Sequence, residues 1–227
     1  MRMTSFRRAH SAEQRAVRKQ TILDTAAAML AEMPVAQISL NELSRRVGLA
    51  KSNVLRYFES REAVLLELLT AESRDWLDQL DGTLAAAVDG SAAAGDRGDQ
   101  LAAALADSLT AHPVLCDLIS AQAAVLEHNI SPQVAATFKR SAIDSVSELA
   151  QLTHKYLPEL GEHDAGRFGG VTIMVTGALW TYSQPAAAML TAYETDPSLA
   201  ALRLDFTATL RETLEMLLTG LLTRSSR

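Results

Sequence analysis

No disulfide can form within this chain, because Cys116 is its only cysteine. Nothing therefore points to an oxidising compartment. Aromatic residues make up 5% of the sequence, and its six prolines sit at apparent boundaries rather than inside runs. No alternating strand pattern emerges anywhere, and the abundance of Ala and Leu favours closely packed helices. Long hydrophobic runs are missing too. The strongest, Phe168 to Trp180, falls short of the roughly 20 residues a membrane-crossing helix needs. The N-terminal arginines are not followed by the apolar segment of a secretory signal, so a cytoplasmic protein that does not enter a membrane is expected. Enzyme signatures are also absent: no phosphate-cradling Gly-rich loop, no His-Glu-x-x-His, no nucleophile beside its base. His112, His128, His154 and His163 lack the spacing of a metal site, and neither metal nor cofactor is expected. Cys116 alone reads as a small buried hydrophobe.

What is present is divided unevenly. The net charge is −6, yet residues 1–60 hold ten Lys or Arg against five Asp or Glu, and residues 61–227 hold eleven against twenty-two. A basic head attached to an acidic body suits a phosphate-bearing partner for the head alone. We place the boundary between residues 62 and 63: an N-terminal arm and binding domain over 1–62, a helical body over 63–227. Residues 1–12 carry no periodicity and read as a basic arm. A first helix is expected from about Ala12 to Glu32, with Val17, Ile22, Ala26, Met29 and Leu30 as its apolar stripe, ended at Pro34.

The stretch from Ile38 to Leu66 is the most informative. Ser39-Leu40-Asn41-Glu42 is a capping box, in which Ser39 accepts from the Glu42 amide while the Glu42 carboxylate reaches back. Gly48 supplies the positive φ of a sharp helix exit. A second short helix follows from Ala50 to about Phe58. Val54 and Phe58 face inward with Leu55 beside them, and Lys51, Ser52, Asn53 and Arg56 are left outward. Ser60 then caps a long helix running to about Leu80. Two short helices joined by a tight turn form a helix-turn-helix, whose second helix lies in the DNA major groove with its first residues at base edges. Lys51 can donate to guanine and Asn53 can pair with adenine; Ser52 and Lys51 can also grip phosphates. Arg56 reaches a base or a phosphate. Tyr57 offers a ring to the core and a hydroxyl to a phosphate. The helix starts at Ser39 and Ser60 present free amides of the same use.

These residues resemble the N-terminal domain of the TetR (tetracycline-repressor-like) family of transcriptional regulators. The likeness runs from Arg18 to Leu66, through Ile22-Leu23-Asp24-Thr25-Ala26-Ala27, Ile38-Ser39-Leu40, Val47-Gly48-Leu49, Lys51-Ser52 and Arg56-Tyr57-Phe58-Glu59-Ser60-Arg61-Glu62-Ala63. It implies that Ser39, Lys51, Tyr57 and Arg61 contact the DNA backbone and that Ser52, Asn53 and Arg56 lie at or near bases. Ala50 and Leu55 depart from the pattern, where relatives often carry Ser or Thr and an aromatic residue. The implied fold is all-α: a three-helix DNA-binding domain followed by a helical ligand-binding and dimerisation domain. The implied function is a ligand-responsive repressor that binds a palindromic operator as a homodimer. A ligand-independent DNA-binding or architectural protein is the alternative.

The body reads as a weak helix and loop over 82–98, then helices at about 99–111, 113–128, 132–157, 164–183 and one started by Asp196-Pro197. The helix at 164–183 is apolar on nearly every side and is expected to be buried. For the dimer interface we select Gly170, Gly177, Phe206, Leu210, Leu214, Leu217 and Leu221, with Arg211 and Glu215 as rim pairs. For a pocket holding a small-molecule effector of unknown identity we select Leu118, Gln122, Leu126, Phe138, Met174, Trp180 and Tyr182, which combine apolar bulk with polar ends.

Overall fold

A computed structural model describes residues 2–225, with side-chain surroundings for 13–224. Among them there are helices and no strand. Helix α1 spans Arg2–Leu30, α2 Leu40–Val47, α3 Lys51–Val54 and α4 Arg61–Ala87, with a 3₁₀ turn at Val35–Gln37. Helices α5 (Ala94–Thr110), α6 (Pro113–Ala121), α7 (Pro132–Tyr156), α8 (Gly161–Ser183), α9 (Ala187–Thr195), α10 (Pro197–Ala200) and α11 (Phe206–Ser225) follow. A π-helical turn at Gln122–Leu126 extends α6. The chain divides into two compact units. One comprises Met1–Leu69 with Ala121–Phe138, the other Thr70–Ser120 with Lys139–Arg227. The division falls inside α4, at the end of α6 and inside α7, and the boundary expected after residue 62 lies within the first unit.

In the first unit α1 packs on α2 and α2 on α3. Ile22, Ala26 and Met29 line the buried side of α1 and are fully covered, but Val17 is 63% exposed and does not belong to the stripe. The backbone is already helical from Arg2, where an irregular arm was expected. The stretch contains no Pro or Gly to interrupt a helix. Ser39 Oγ accepts from the Glu42 amide at 3.1 Å, so the first half of the capping box forms. The second half does not: the Glu42 carboxylate instead accepts from Arg45 Nε at 2.9 Å and Arg46 Nε at 3.0 Å. Gly48 ends α2 at φ 72°. An added Cβ would meet no atom within 4 Å there. Gly48→Ala therefore carries only left-handed strain, about 1–2 kcal/mol. Thermal unfolding should fall by about 2–8 °C, and an unchanged midpoint would show that the turn relaxes to another conformation.

In the second unit α11 packs most extensively on α5 and next on α8. Leu210, Leu214 and Leu218 are buried on α11, as are Leu101, Leu105 and Leu109 on α5. Trp76 is buried on α4 and its indole donates to Ser108 Oγ at 2.9 Å. Burial with a satisfied N–H is what a core tryptophan requires. Helix α4 continues to Ala87 and α5 begins at Ala94, both beyond the expected limits. Asp196 does cap a helix, accepting from Ser198 N at 2.9 Å. That helix is only α10, however, and α11 begins afresh at Phe206, where Asp205 accepts from Ala208 N at 2.8 Å. Neither α9 nor α10 has a buried residue. No single helix is long and apolar enough to cross a membrane.

Candidate nucleic-acid interface

Two buried anchors orient the short α3 and the turn behind it: Val54 is fully covered and Phe58 is 4% exposed. Both are held from below while Lys51, Ser52, Asn53 and Arg56 face outward and are exposed. Leu55 is 42% exposed and does not flank the anchors as expected; it adds an apolar contact to the polar face. Ala50, at the start of α3, makes no side-chain cap. Tyr57 is half-buried, with Arg15 Cζ lying 5.5 Å from its ring centroid. Ser60 Oγ accepts from Ala63 N at 3.1 Å and caps α4.

The face thus gathers Lys51, Ser52, Asn53, Arg56 and Tyr57 on one short segment. Ser39 is exposed at the start of α2, its hydroxyl committed to the cap. Arg61, expected at the DNA backbone, is engaged within the fold. Its Nη1 donates to the Ile38 carbonyl at 2.9 Å, and its Nε and Nη2 reach Glu62 Oε1 at 3.0 and 2.9 Å. It ties the segment before α2 to α4, and its side chain is one-fifth exposed.

Charge near the face is set by α2. Hydrogen bonds from Arg45 and Arg46 hold the Glu42 carboxyl down at about 2. A carboxyl lowered in the fold stabilises fully above its ordinary value near 4.5, and that contribution disappears as pH falls through 2. An NMR titration should find Glu42 still largely ionised at pH 3; half-protonation near 4.5 would mean the pairs are open in solution. Arg45 is well exposed beside the face and was not singled out from the sequence.

Sequence reasoning also missed Arg15, Arg18 and Lys19. Arg15 and Arg18 line a polar cleft of about 810 Å³ together with Glu13, Arg56 and Tyr57. Lys19 Nζ lies 5.2 Å from the Phe58 ring centroid and 2.5 Å from Glu67 Oε1. Their spacing, one helical turn apart on α1, was visible, but their partners lie some 40 residues away.

The body residues selected from the sequence differ in burial and surroundings. Leu118 is buried in the second unit, while Leu126 and Phe138 are buried in the first. Gln122 donates to Glu127 Oε1 at 2.8 Å. Met174 and Tyr182 are 68% and 75% exposed. The face of α8 that carries them is uncovered, so that helix is not buried all round. Trp180 packs edge-on against Phe206, with ring centroids 5.0 Å apart.

The dimer set needs similar correction. Phe206 is 8% exposed, and Leu210 and Leu214 are fully covered by their own chain. A Cβ at Gly177 would meet Ile119 Cγ2 at 3.1 Å, so that glycine serves a close approach of α8 to α6. Gly170 faces open space, and Leu217 and Leu221 are half-buried. The Arg211–Glu215 pair forms within α11 at 2.8 Å. Cys116 is buried and its thiol is pushed up to about 12, chiefly by burial; it is an unreactive core group. No cluster that could hold a metal ion occurs among the described residues.

A helix-turn-helix with an outward polar face, joined to a larger helical unit, defines a DNA-binding regulator. Two family profiles cover nearly the whole length of the described chain. "Bacterial regulatory proteins, tetR family" matches residues 22–68, and "Tetracyclin repressor-like, C-terminal domain" matches residues 70–225. The chain belongs to the TetR family of transcriptional regulators.

Solved structures share the fold. A TetR-family regulator from Mesorhizobium loti is 15% identical, with 92% of this chain and 97% of that one covered at a TM-score of 0.56. One from Streptomyces coelicolor is 22% identical over 94% and 100% of the two chains, also at 0.56. The fatty acid degradation regulator FadR from Bacillus halodurans is 16% identical over 89% and 95%, at 0.54. No curated protein matches the sequence.

Proposed function

We propose that the chain is a homodimeric repressor that holds a palindromic operator and leaves it when a small molecule binds the helical body. The observation that carries this reading is the exposure of Lys51, Ser52, Asn53 and Arg56 above the buried anchors Val54 and Phe58. Lys51 and Asn53 meet base edges, Arg56 reads a base or a phosphate, and Tyr57 and Ser39 border the backbone. One such segment covers too few base pairs to find a site in a genome. Two, related by a dyad, read half-sites one helical turn apart. The apolar groups left uncovered on α8 and α11, Met174, Tyr182 and Met216, supply a surface for the second copy.

For the effector, the cavity of about 610 Å³ lined by Ile143, Val146, Ala150, His154, Glu162 and Gly166 replaces the residues first selected. Its volume is that of a small-molecule site. Its lining mixes the apolar Ile143, Val146 and Ala150 with the polar His154 and Glu162, which favours a ligand with an apolar body and one polar end. A duplex selected by the protein from a randomised pool tests the reading. The expected result is a palindromic footprint and a complex holding two chains by light scattering; a single half-site held by one chain overturns it. An effector should release that duplex from the unmodified protein at lower concentration than from Ile143→Trp, in which the indole narrows the mouth of the cleft.

A further inference from the structure

We infer that Arg15, helped by Lys19, is a positioning residue for the DNA-reading segment and sets its specificity without touching a base. The inference rests on the DNA-binding reading and concerns how the reading face keeps its orientation. Helix α3 has four residues and no side-chain cap at its start. A helix that short has no stability of its own, and its last carbonyls lack partners within it. The chain from Leu55 to Tyr57 is a turn, not a helix. Val54 and Phe58 fix the depth of the segment, and the Tyr57 and Phe58 amides donate to the Val54 carbonyl at 2.9 and 3.2 Å, but both anchors lie on its inner side, which leaves its outer side some freedom to rock.

Arg15 closes that freedom from outside. Its Nη2 donates to the Arg56 carbonyl at 3.1 Å, and its guanidinium lies over the Tyr57 ring. Both contacts hold residues whose side chains belong to the reading face, and both are made through backbone or ring atoms that the outward groups do not need. One turn along α1, Lys19 sits over Phe58 and pairs with Glu67 on α4. Two cations at i and i+4 thus grip three consecutive residues, 56–58, and the second is itself moored to α4. Arg15 and Lys19 lie before residue 22, where the N-terminal family profile begins to match.

The test compares the unmodified protein, Arg15→Ala and Arg15→Lys, each on the selected duplex and on a scrambled duplex over a range of salt. Arg15→Ala should lower the ratio of specific to non-specific affinity about five- to tenfold, from one cation–π contact and one hydrogen bond. The slope of log affinity against log salt should stay unchanged. Amide exchange at residues 55–58 should quicken, and the thermal midpoint should fall by no more than about 2–6 °C. Arg15→Lys should recover most of the ratio, since an ammonium can donate to the carbonyl and sit on the ring.

An equal loss on both duplexes, with the slope reduced by about 0.9, would make Arg15 a phosphate contact and overturn the inference. An unchanged ratio, or loss of the folded state in Arg15→Ala, would overturn it as well. If the unmodified protein selects no duplex, the functional reading fails before this one is reached.

Discussion

Replacing Lys51 and Arg56 together by alanine should abolish specific operator binding, by about a hundredfold or more, while the chain stays folded. A side chain reading a base is worth about 1–3 kcal/mol, and the pair combines one group at the start of α3 with another on the turn after it. Both residues are exposed, so neither truncation opens the core. Alanine at position 56 also keeps the carbonyl that accepts from Arg15, and Val54 and Phe58 retain their burial. Circular dichroism and the thermal midpoint should match those of the unmodified protein. Gel-shift titration with the selected duplex is the measurement that checks it. Unimpaired binding would remove the outward face of α3 as the reading surface.

The largest effect on stability is expected at Arg97, on α5. Its side chain is 11% exposed, and a buried charge persists only when its donors are paired. Three partners provide this. Nε donates to the Ala92 carbonyl at 3.2 Å, Nη1 to the Tyr156 carbonyl at 2.9 Å, and Nη2 to the Glu159 carboxylate. They join the loop before α5, the last turn of α7 and a 3₁₀ turn at Pro158–Leu160. Alanine at 97 leaves two carbonyls and a carboxylate without this donor, at a cost of about 3 kcal/mol. Arg97→Lys should recover only part of that, because an ammonium cannot span three acceptors with the geometry of a planar fork. Urea denaturation of the three proteins measures the difference. A shift below about 1 kcal/mol would show that solvent replaces Arg97 at these groups.

The reading segment was legible because its determinants are local. Ser39 and Glu42, Gly48, and Val54 with Phe58 each act within a turn or two of chain, and cap chemistry and helical spacing express them directly. The body was less legible for a general reason: an apolar stripe declares that it will be covered but not by what. Leu210 and Leu214 on α11 are covered by α5 of their own chain, although the same spacing suits a partner molecule. Met174 and Tyr182 were selected as lining and turned out to be outward, because α8 has apolar residues on most of its circumference and sequence alone does not reveal which side meets α6 and α11. Arg61 follows a family pattern, and sequence alone did not reveal the carbonyl and carboxylate that engage three of its five N–H donors in the fold. The break between α10 and α11 was missed because the leucine spacing continues across it.

The excursion from Ala187 to Ala200 has a separate consequence. A segment that contributes nothing to the interior is under little constraint of volume or shape. Substitution and changes of length there leave the interior of the chain intact, so this is where relatives of the protein are free to diverge and where a reporter peptide can be spliced in at low cost.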